Sequence, residues 1–214
     1  MMQNKVIEKV NHFFSKHERH TYKKGEYLKT PDKQLEGVFC LQNGVVRCFA
    51  ISKEGAELTI NIFKPVSFFP VGWVINNASD NYTYQATTDV EVFIAPKDAV
   101  EKFMQDNPDV VYDLLKRIYR GLEGYFMRME SLLSGEPYFR TVVQLIIHTR
   151  RFGKKEGEQY KVNLTHSQLA SLAGLSRETV TREIKKLEDK KLIQYEGKQL
   201  MVLDIAKLEE QMAS

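Results

Sequence analysis

The chain has 214 residues, 43% hydrophobic and 28% charged, with a formal net charge of +3 at pH 7. This suits one large or two modest globular domains and excludes a disordered or low-complexity chain; the two cysteines, Cys40 and Cys48, exclude a disulfide framework and point to a reducing compartment. No apolar run approaches the roughly 18 residues of a membrane span, and Glu8 and Lys9 interrupt the pattern a signal peptide needs, so a cytoplasmic protein without a membrane partner is expected.

Val6, Ile7, Val10, Phe13 and Phe14 recur at helical spacing and predict a short opening helix. From His20 the pattern changes to period two, punctuated by Lys24-Gly25, Pro31-Asp32, Asn43-Gly44, Glu54-Gly55 and Lys64-Pro65. Strand-like runs lie between: Gly37 to Leu41, Val45 to Ile51, Leu58 to Phe63, Tyr82 to Thr87 and Val90 to Ala95. Short strands at this spacing predict an antiparallel roll or barrel, and Asn43-Gly44 between apolar runs predicts a hairpin.

Ala99, Val100, Phe103 and Met104 predict a short helix closed near Asn107-Pro108. Val111, Leu115, Ile118, Leu122, Tyr125, Met129 and Leu132 then alternate spacings of four and three, a heptad seam from about Asp109 to Ser134. Such a seam either packs inside one chain or joins two parallel copies, and a second stripe of Leu114, Phe126 and Leu133 is expected to pack on the roll. The helix should stop at Gly135-Glu136-Pro137, because proline disfavours a helical residue before it. Phe139, Val142, Val143, Ile146 and Ile147 give the next helix its apolar face, Gly153 to Gly157 reads as a loop, and Tyr160 to Leu164 as a strand.

The stretch from Leu164 to Leu192 carries the function. Thr165 and Gln168 have capping-box spacing, Leu169, Ala170, Leu172 and Ala173 form an apolar face, and Gly174 supplies the turn between two helices. Ser176 caps a second helix whose core stripe is Val180, Ile184 and Leu187. At about 100° per residue, Arg177, Glu178, Thr181, Arg182 and Lys185 share an arc away from that stripe. Arginine can donate twice to guanine and a carboxylate can accept from cytosine; Lys185, Lys186, Thr165, Ser167, Ser176 and Thr179 suit phosphates. The arc alone would fit a solvated surface. Turn, caps, stripe and arc together predict a helix-turn-helix that reads double-stranded DNA. Leu192 to Tyr195 and Gln199 to Leu203 flank Glu196-Gly197-Lys198 as a wing with Lys198 at its tip, and Asp204 caps a last helix. Residues 136–214 hold 14 Lys and Arg against 11 Asp and Glu, so they carry the whole positive excess.

Ser176-Arg177-Glu178-Thr179-Val180-Thr181-Arg182, followed by Lys186-Leu187-Glu188 and Leu192-Ile193, resembles the recognition helix of the Crp/Fnr family of bacterial transcription regulators. The resemblance implies an α+β chain: an N-terminal antiparallel β-roll of the double-stranded β-helix (jelly-roll) type over 1–108, a dimerisation helix and hinge over 109–135, and a C-terminal winged helix-turn-helix over 136–214. It further implies a homodimer, RNA polymerase as a partner, promoter DNA with palindromic TGTGA-like half-sites, and base-edge roles for Arg177, Glu178 and Arg182.

Cyclic-nucleotide-binding members of this family carry a Gly-Glu pair for the ribose and an Arg for the cyclic phosphate. Here Pro70-Val71 stands where Gly-Glu is expected, and Asp80-Asn81-Tyr82 replaces the Arg-Ser or Arg-Thr pair. An anionic phosphate needs a cationic partner, and Asp80 would repel it, so cyclic AMP is not the expected ligand. Phe68, Phe69, Trp73, Tyr82 and Tyr84 either line a pocket for another small organic effector or fill the roll's core; Tyr125 and Arg128 would meet the same effector from the long helix. A roll with no effector is the alternative. Two cysteines cannot ligate an iron–sulfur cluster, and the five histidines show no metal-ligand spacing. Cys40 and Cys48 read as structural thiols, with a thiol switch as the alternative. No nucleophile–base pair or phosphate loop suggests an enzyme. A non-specific architectural DNA binder is the remaining alternative, against which the Arg177/Glu178/Arg182 set argues.

Overall fold

The computed structural model describes residues 2–53, 55–196 and 199–212. The chain divides into two compact units between Tyr119 and Arg120.

The first unit opens with helix α1 (Met2–Phe14), followed by strands β1 (Glu18–Tyr22), β2 (Tyr27–Lys29), β3 (Val38–Asn43), β4 (Val46–Ile51), β5 (Glu57–Phe63) and β6 (Phe68–Phe69). Helix α2 (Val71–Asn76), strands β7 (Thr83–Ala86) and β8 (Val90–Ala95), helix α3 (Lys97–Asp106) and the start of α4 (Pro108–Ser134) complete it. Two antiparallel four-stranded sheets result, ordered β1-β8-β3-β6 and β2-β7-β4-β5. This is the expected roll.

Strand alternation explains how it packs. Successive side chains point to opposite faces, and in β3 both faces are buried. Val38 and Cys40 join a core with Val6, Val10 and Phe14 of α1, Val74 of α2, and Val100 and Met104 of α3. Phe39 and Leu41 point the other way, into the core between the sheets, with Val46, Cys48, Phe69, Tyr84 and Val92. In that inner core Phe69 stacks on Tyr84 at 5.3 Å and on Phe63 at 4.2 Å. Each fully buried side chain of this kind contributes about 1.5–3 kcal/mol.

Asn43-Gly44 does not close a hairpin. Strand β3 pairs with β8 and β6, and β4 pairs with β5 and β7, so the turn carries the chain from one sheet to the other. Gly44 has φ +87°, and a Cβ there would stand 2.2 Å from the Asp89 carbonyl oxygen, so a side chain is excluded twice over. The correction separates the two cysteines: Cys40 lies in the helix-side core and Cys48 in the inner one.

The second unit holds the rest of α4, then α5 (Pro137–Phe152), β9 (Lys154–Glu156), β10 (Gln159–Val162), α6 (His166–Ala173), α7 (Arg177–Asp189), β11 (Ile193–Glu196), β12 (Gln199–Val202) and α8 (Ile205–Glu210). Helix α5 is its centre. Residues 141–146 are all buried, and the helix touches α6, α7, α8 and β10. The sheet order is β11-β12-β10-β9. Gly153 to Gly157, expected as a loop, contains β9, which pairs with β10. Helix α4 ends at Ser134, Gly135 takes φ +73°, and Pro137 opens α5 at its first turn, where proline's missing N–H costs nothing.

The second stripe of α4 is buried only at its start. Leu114 packs on the helix-side core, but Phe126 is 57% and Leu133 83% exposed. The seam residues Val111, Leu115, Ile118, Tyr125, Met129 and Leu132 are exposed as well, and Leu122 is half-buried. No described helix is long and apolar enough to cross a membrane.

Candidate nucleic-acid interface

Helices α6 and α7 form the expected helix-turn-helix. Thr165 accepts from the Gln168 amide while the Gln168 side chain accepts from the Thr165 amide, a complete capping box. Gly174 is left-handed (φ 62°, ψ 43°), and the Leu175 amide reaches back to the Ala170 carbonyl at 3.0 Å. The Ser176 hydroxyl accepts from the Thr179 amide at 3.1 Å and fixes the first turn of α7. Val180, Ile184 and Leu187 are buried.

The opposite face of α7 is open. Arg177, Glu178, Thr181, Arg182, Lys185 and Lys186 are exposed, as are Thr165, Ser167 and Ser176 on the flank. Not every predicted group is equally available. The Thr179 hydroxyl lies 3.0 Å from that of Ser176. Thr181 donates to the Arg177 carbonyl at 2.9 Å and so receives its second bond, also 2.9 Å, from Nδ1–H of His166; one hydroxyl hydrogen cannot serve both. The Glu178 carboxyl is held below its usual range by its own backbone amide, Ser176 and Arg177, in that order. Lys198 lies outside the described residues.

Three groups absent from the sequence-based reading organise this surface. Glu183 is buried beneath it, its carboxylate 3% exposed, and accepts from Arg182 Nε at 3.2 Å and from Lys186 Nζ. It stands three residues after Val180 and four before Leu187, on the core-facing stripe, which was the signal available for it. His166 also meets the ring of Tyr195 edge-on at 5.5 Å, joining α6, α7 and β11. Arg140 of α5 donates through Nε and Nη2 to the Ala173 carbonyl (3.0 and 2.5 Å) and through Nη2 to that of Gly174 (2.7 Å).

In the first unit the residues expected around an effector are parted between two cores and the surface. Phe69 and Tyr84 lie in the inner core, Trp73 packs on the helix-side core, and Tyr82 is exposed. In the second unit Tyr125 is exposed, and Arg128 donates to the Leu172 carbonyl at 2.7 Å. A cleft of about 150 Å3 opens instead between Tyr22, Tyr27, Leu28, Lys33, Leu35 and Phe39, and beside it a shallower one of about 490 Å3 between Thr21, Tyr22, Glu26, Tyr27 and Lys33; only the second reaches the roughly 300–1,000 Å3 of ordinary ligand pockets.

Asp80, expected from the sequence in place of a phosphate-binding arginine, points into the roll. Its side chain is 6% exposed and lies 3.4 Å from Lys29 Nζ, 3% exposed. Tyr84 donates to the other carboxylate oxygen at 2.5 Å and the Tyr82 amide to the first at 3.1 Å, while Lys29 also donates to the carbonyls of Asp80 and Tyr82. A buried carboxylate already occupies the buried cation. These residues do not fit a cyclic phosphate, which would bring a second anion beside Asp80. Among the described residues no group of His, Cys, Asp and Glu could hold a metal ion.

Comparison with known proteins agrees with this architecture. The model of the Crp-like helix-turn-helix domain matches residues 140–211, and that of the cyclic nucleotide-binding domain matches residues 19–107. The global nitrogen regulator of Nostoc sp. is 28% identical over 186 residues, 85% of this chain and 83% of its own length. A solved Crp/Fnr-family regulator from Thermus thermophilus superposes with a TM-score of 0.68 at 25% identity, over 92% of this chain and 99% of that one. A CooA mutant from Carboxydothermus hydrogenoformans shares the fold with a TM-score of 0.78 at 19% identity, over 93% of this chain and 89% of that one.

Proposed function

The chain belongs to the Crp/Fnr family of DNA-binding transcription regulators, which are not enzymes, and from that premise we propose that it acts as a cytoplasmic homodimer on palindromic promoter DNA with TGTGA-like half-sites. The observation that carries this reading is the exposed Arg177, Glu178 and Arg182 arc on α7, whose other face is buried. Arg177 and Arg182 suit guanine edges and Glu178 the cytosine amino group. Thr165, Ser167, Ser176, Thr179, Thr181, Lys185, Lys186 and the wing's Lys198 position the helix on phosphates.

The exposed seam of α4, Val111 to Leu132, supports pairing through a parallel coiled coil. Two copies would then offer two recognition helices about 34 Å apart, one turn of DNA. RNA polymerase is the partner the family relationship suggests. The buried Lys29–Asp80 pair supports an effector other than cyclic AMP, a small organic molecule that biases one of two dimer geometries by its differential affinity. The side-chain-filled core of the roll favours a second reading, the same dimer acting with no effector.

The test is binding to a TGTGA-type palindrome against scrambled DNA at fixed salt. A preference of about a hundredfold, lost in Arg182→Ala, is the expected result; equal binding to both sequences by wild type, with and without a panel of organic acids and nucleotides, would sink the reading. Met129→Glu should yield a monomer in sedimentation, and a Met129→Glu dimer would remove the seam.

A further inference from the structure

We infer that Arg128 is a positioning residue which, together with Arg140, ties the helix-turn-helix to the dimer helix and sets the spacing of half-sites the protein accepts. This rests on the functional reading above and adds to it the part that couples dimer to DNA.

An α-helix leaves its last carbonyls without intrahelical donors and gathers negative partial charge there. In α6 the Ala170 carbonyl is served by the amides of Gly174 and Leu175. The next carbonyls are served by arginines: Leu172 by Arg128 at 2.7 Å, Ala173 by Arg140 at 3.0 and 2.5 Å, and Gly174 by Arg140 at 2.7 Å. These are charge-assisted bonds, about twice as strong as neutral ones. They land on the last turn of α6 and on the link to α7: Leu172 stands four residues before the Ser176 cap, Ala173 three and Gly174 two. Whatever holds this turn holds the direction of α7.

The two arginines come from different places. Arg140 belongs to α5, the centre of the DNA-reading unit. Arg128 belongs to α4, the helix that bears the seam. At about 100° per residue, Arg128 lies at the border of the seam, with Gly124 and Ser131 to one side of it, Leu132 and Tyr125 as near on the other, and Leu122 and Met129 about 100–120° away. The side of Gly124 and Ser131 is turned inward: Ser131 is 1% exposed, and the position of a Cβ on Gly124 lies 3.7 Å from Ile147 of α5. So α4 offers its seam to a second copy and, through Arg128 on the inner border of that seam, grips the last turn of α6. A guanidinium suits this task because it stays charged when partly buried and fixes its donors in a plane.

The division of labour gives different expectations for each residue. Losing Arg140 loosens α6 against α5 and weakens every DNA complex. Losing Arg128 leaves each helix-turn-helix intact but frees it from the dimer helix, so a single half-site is still read while the fixed distance between two is lost.

The experiment compares wild type with Arg128→Met, Arg128→Lys and Arg140→Met. Methionine keeps the length and apolar stem of Arg128, and circular dichroism with sedimentation checks that a folded dimer remains. Each protein is titrated with a half-site, the palindrome, and palindromes lengthened or shortened by one and two base pairs. Arg128→Met should bind the half-site within about threefold of wild type yet lose about tenfold in discrimination between correct and altered spacing. Arg128→Lys should fall between, since it restores the charge but not the planar set of donors. Arg140→Met should lose half-site and palindrome affinity alike. Amide exchange gives a readout without DNA: Leu175 should exchange about tenfold faster in Arg128→Met. In Arg128→Met, unchanged spacing discrimination, or equal losses on half-site and palindrome, overturns the proposal. If wild type prefers no palindrome, the functional reading fails, and the exchange measurement alone decides whether Arg128 holds the turn.

Discussion

Arg182 Nε lies 3.2 Å from the carboxylate of Glu183, its chain neighbour, although Arg182 faces solvent and Glu183 is buried. Lys186 reaches the same carboxylate from one turn further on. Glu183 therefore aims two cations of the outward face before DNA arrives, which lowers the ordering cost of binding. Glu183→Gln removes the charge and keeps the shape. Its specific-to-random DNA binding ratio should fall about tenfold, the worth of one charged hydrogen bond of roughly 1.5 kcal/mol. An unchanged ratio in a folded variant would show that Glu183 only fills space.

The Lys29–Asp80 pair makes a stability prediction. Both side chains are almost fully buried, and removing one partner strands the other charge. Lys29→Met should cost about 3–5 kcal/mol in urea unfolding, and adding Asp80→Asn should recover most of it, because Asn carries no charge, its Oδ1 can still accept from the Tyr82 amide, and its Nδ2 can donate to the Tyr84 hydroxyl oxygen. A cost below about 1 kcal/mol for Lys29→Met would mean that water reaches the pair.

Cys40 and Cys48 should be inert in the folded protein. Burial pushes both thiols up to about 12 from the ordinary 9.0. The folded pKa lies above the unfolded one, so this contribution to stability is whole below pH 9 and is lost as pH rises from 9 towards 12. Alkylation at about pH 8 should label neither thiol until urea unfolds the chain. Unfolding midpoints should drop between about pH 8 and pH 10, and less so in a Cys40→Ala/Cys48→Ala protein. Fast alkylation of the native chain would contradict the buried placement.

Much of this was legible in the sequence because the signals are local. The heptad spacing, the Thr165–Gln168 box, the Ser176 cap and the Val180-Ile184-Leu187 stripe all act within a few residues, and helices α4 to α7 follow them. Strands β1, β2 and β9 escaped because they lack alternation: Glu-Arg-His-Thr-Tyr, Tyr-Leu-Lys and Lys-Lys-Glu gain their place from partners. Helix α2 was read only as part of an aromatic run. Asn43-Gly44 misled for a related reason. The dipeptide specifies a sharp turn, and the turn is there, but pairing is settled by β8 and β7, some 40 residues further on. The candidate interface divides the same way. The outward arc could be read from spacing, whereas Arg128 and Arg140 on α6 and Lys29 on Asp80 join residues 33 to 51 apart.

The crossing at Gly44 has a consequence for the newly made chain. Strands β1 and β3 find their shared neighbour only in β8, and β2 and β4 theirs only in β7. Until residues 83–95 leave the ribosome, the strands made before them have at most the β4–β5 and β3–β6 pairings to form. Their remaining edges stay open through most of the roll's synthesis, the state in which strands from different chains join one another. The helices of the second unit close over short separations and form as they emerge. Aggregation during overproduction should therefore trace to the first hundred residues, and slower translation once residue 95 has cleared the ribosome should raise the soluble yield.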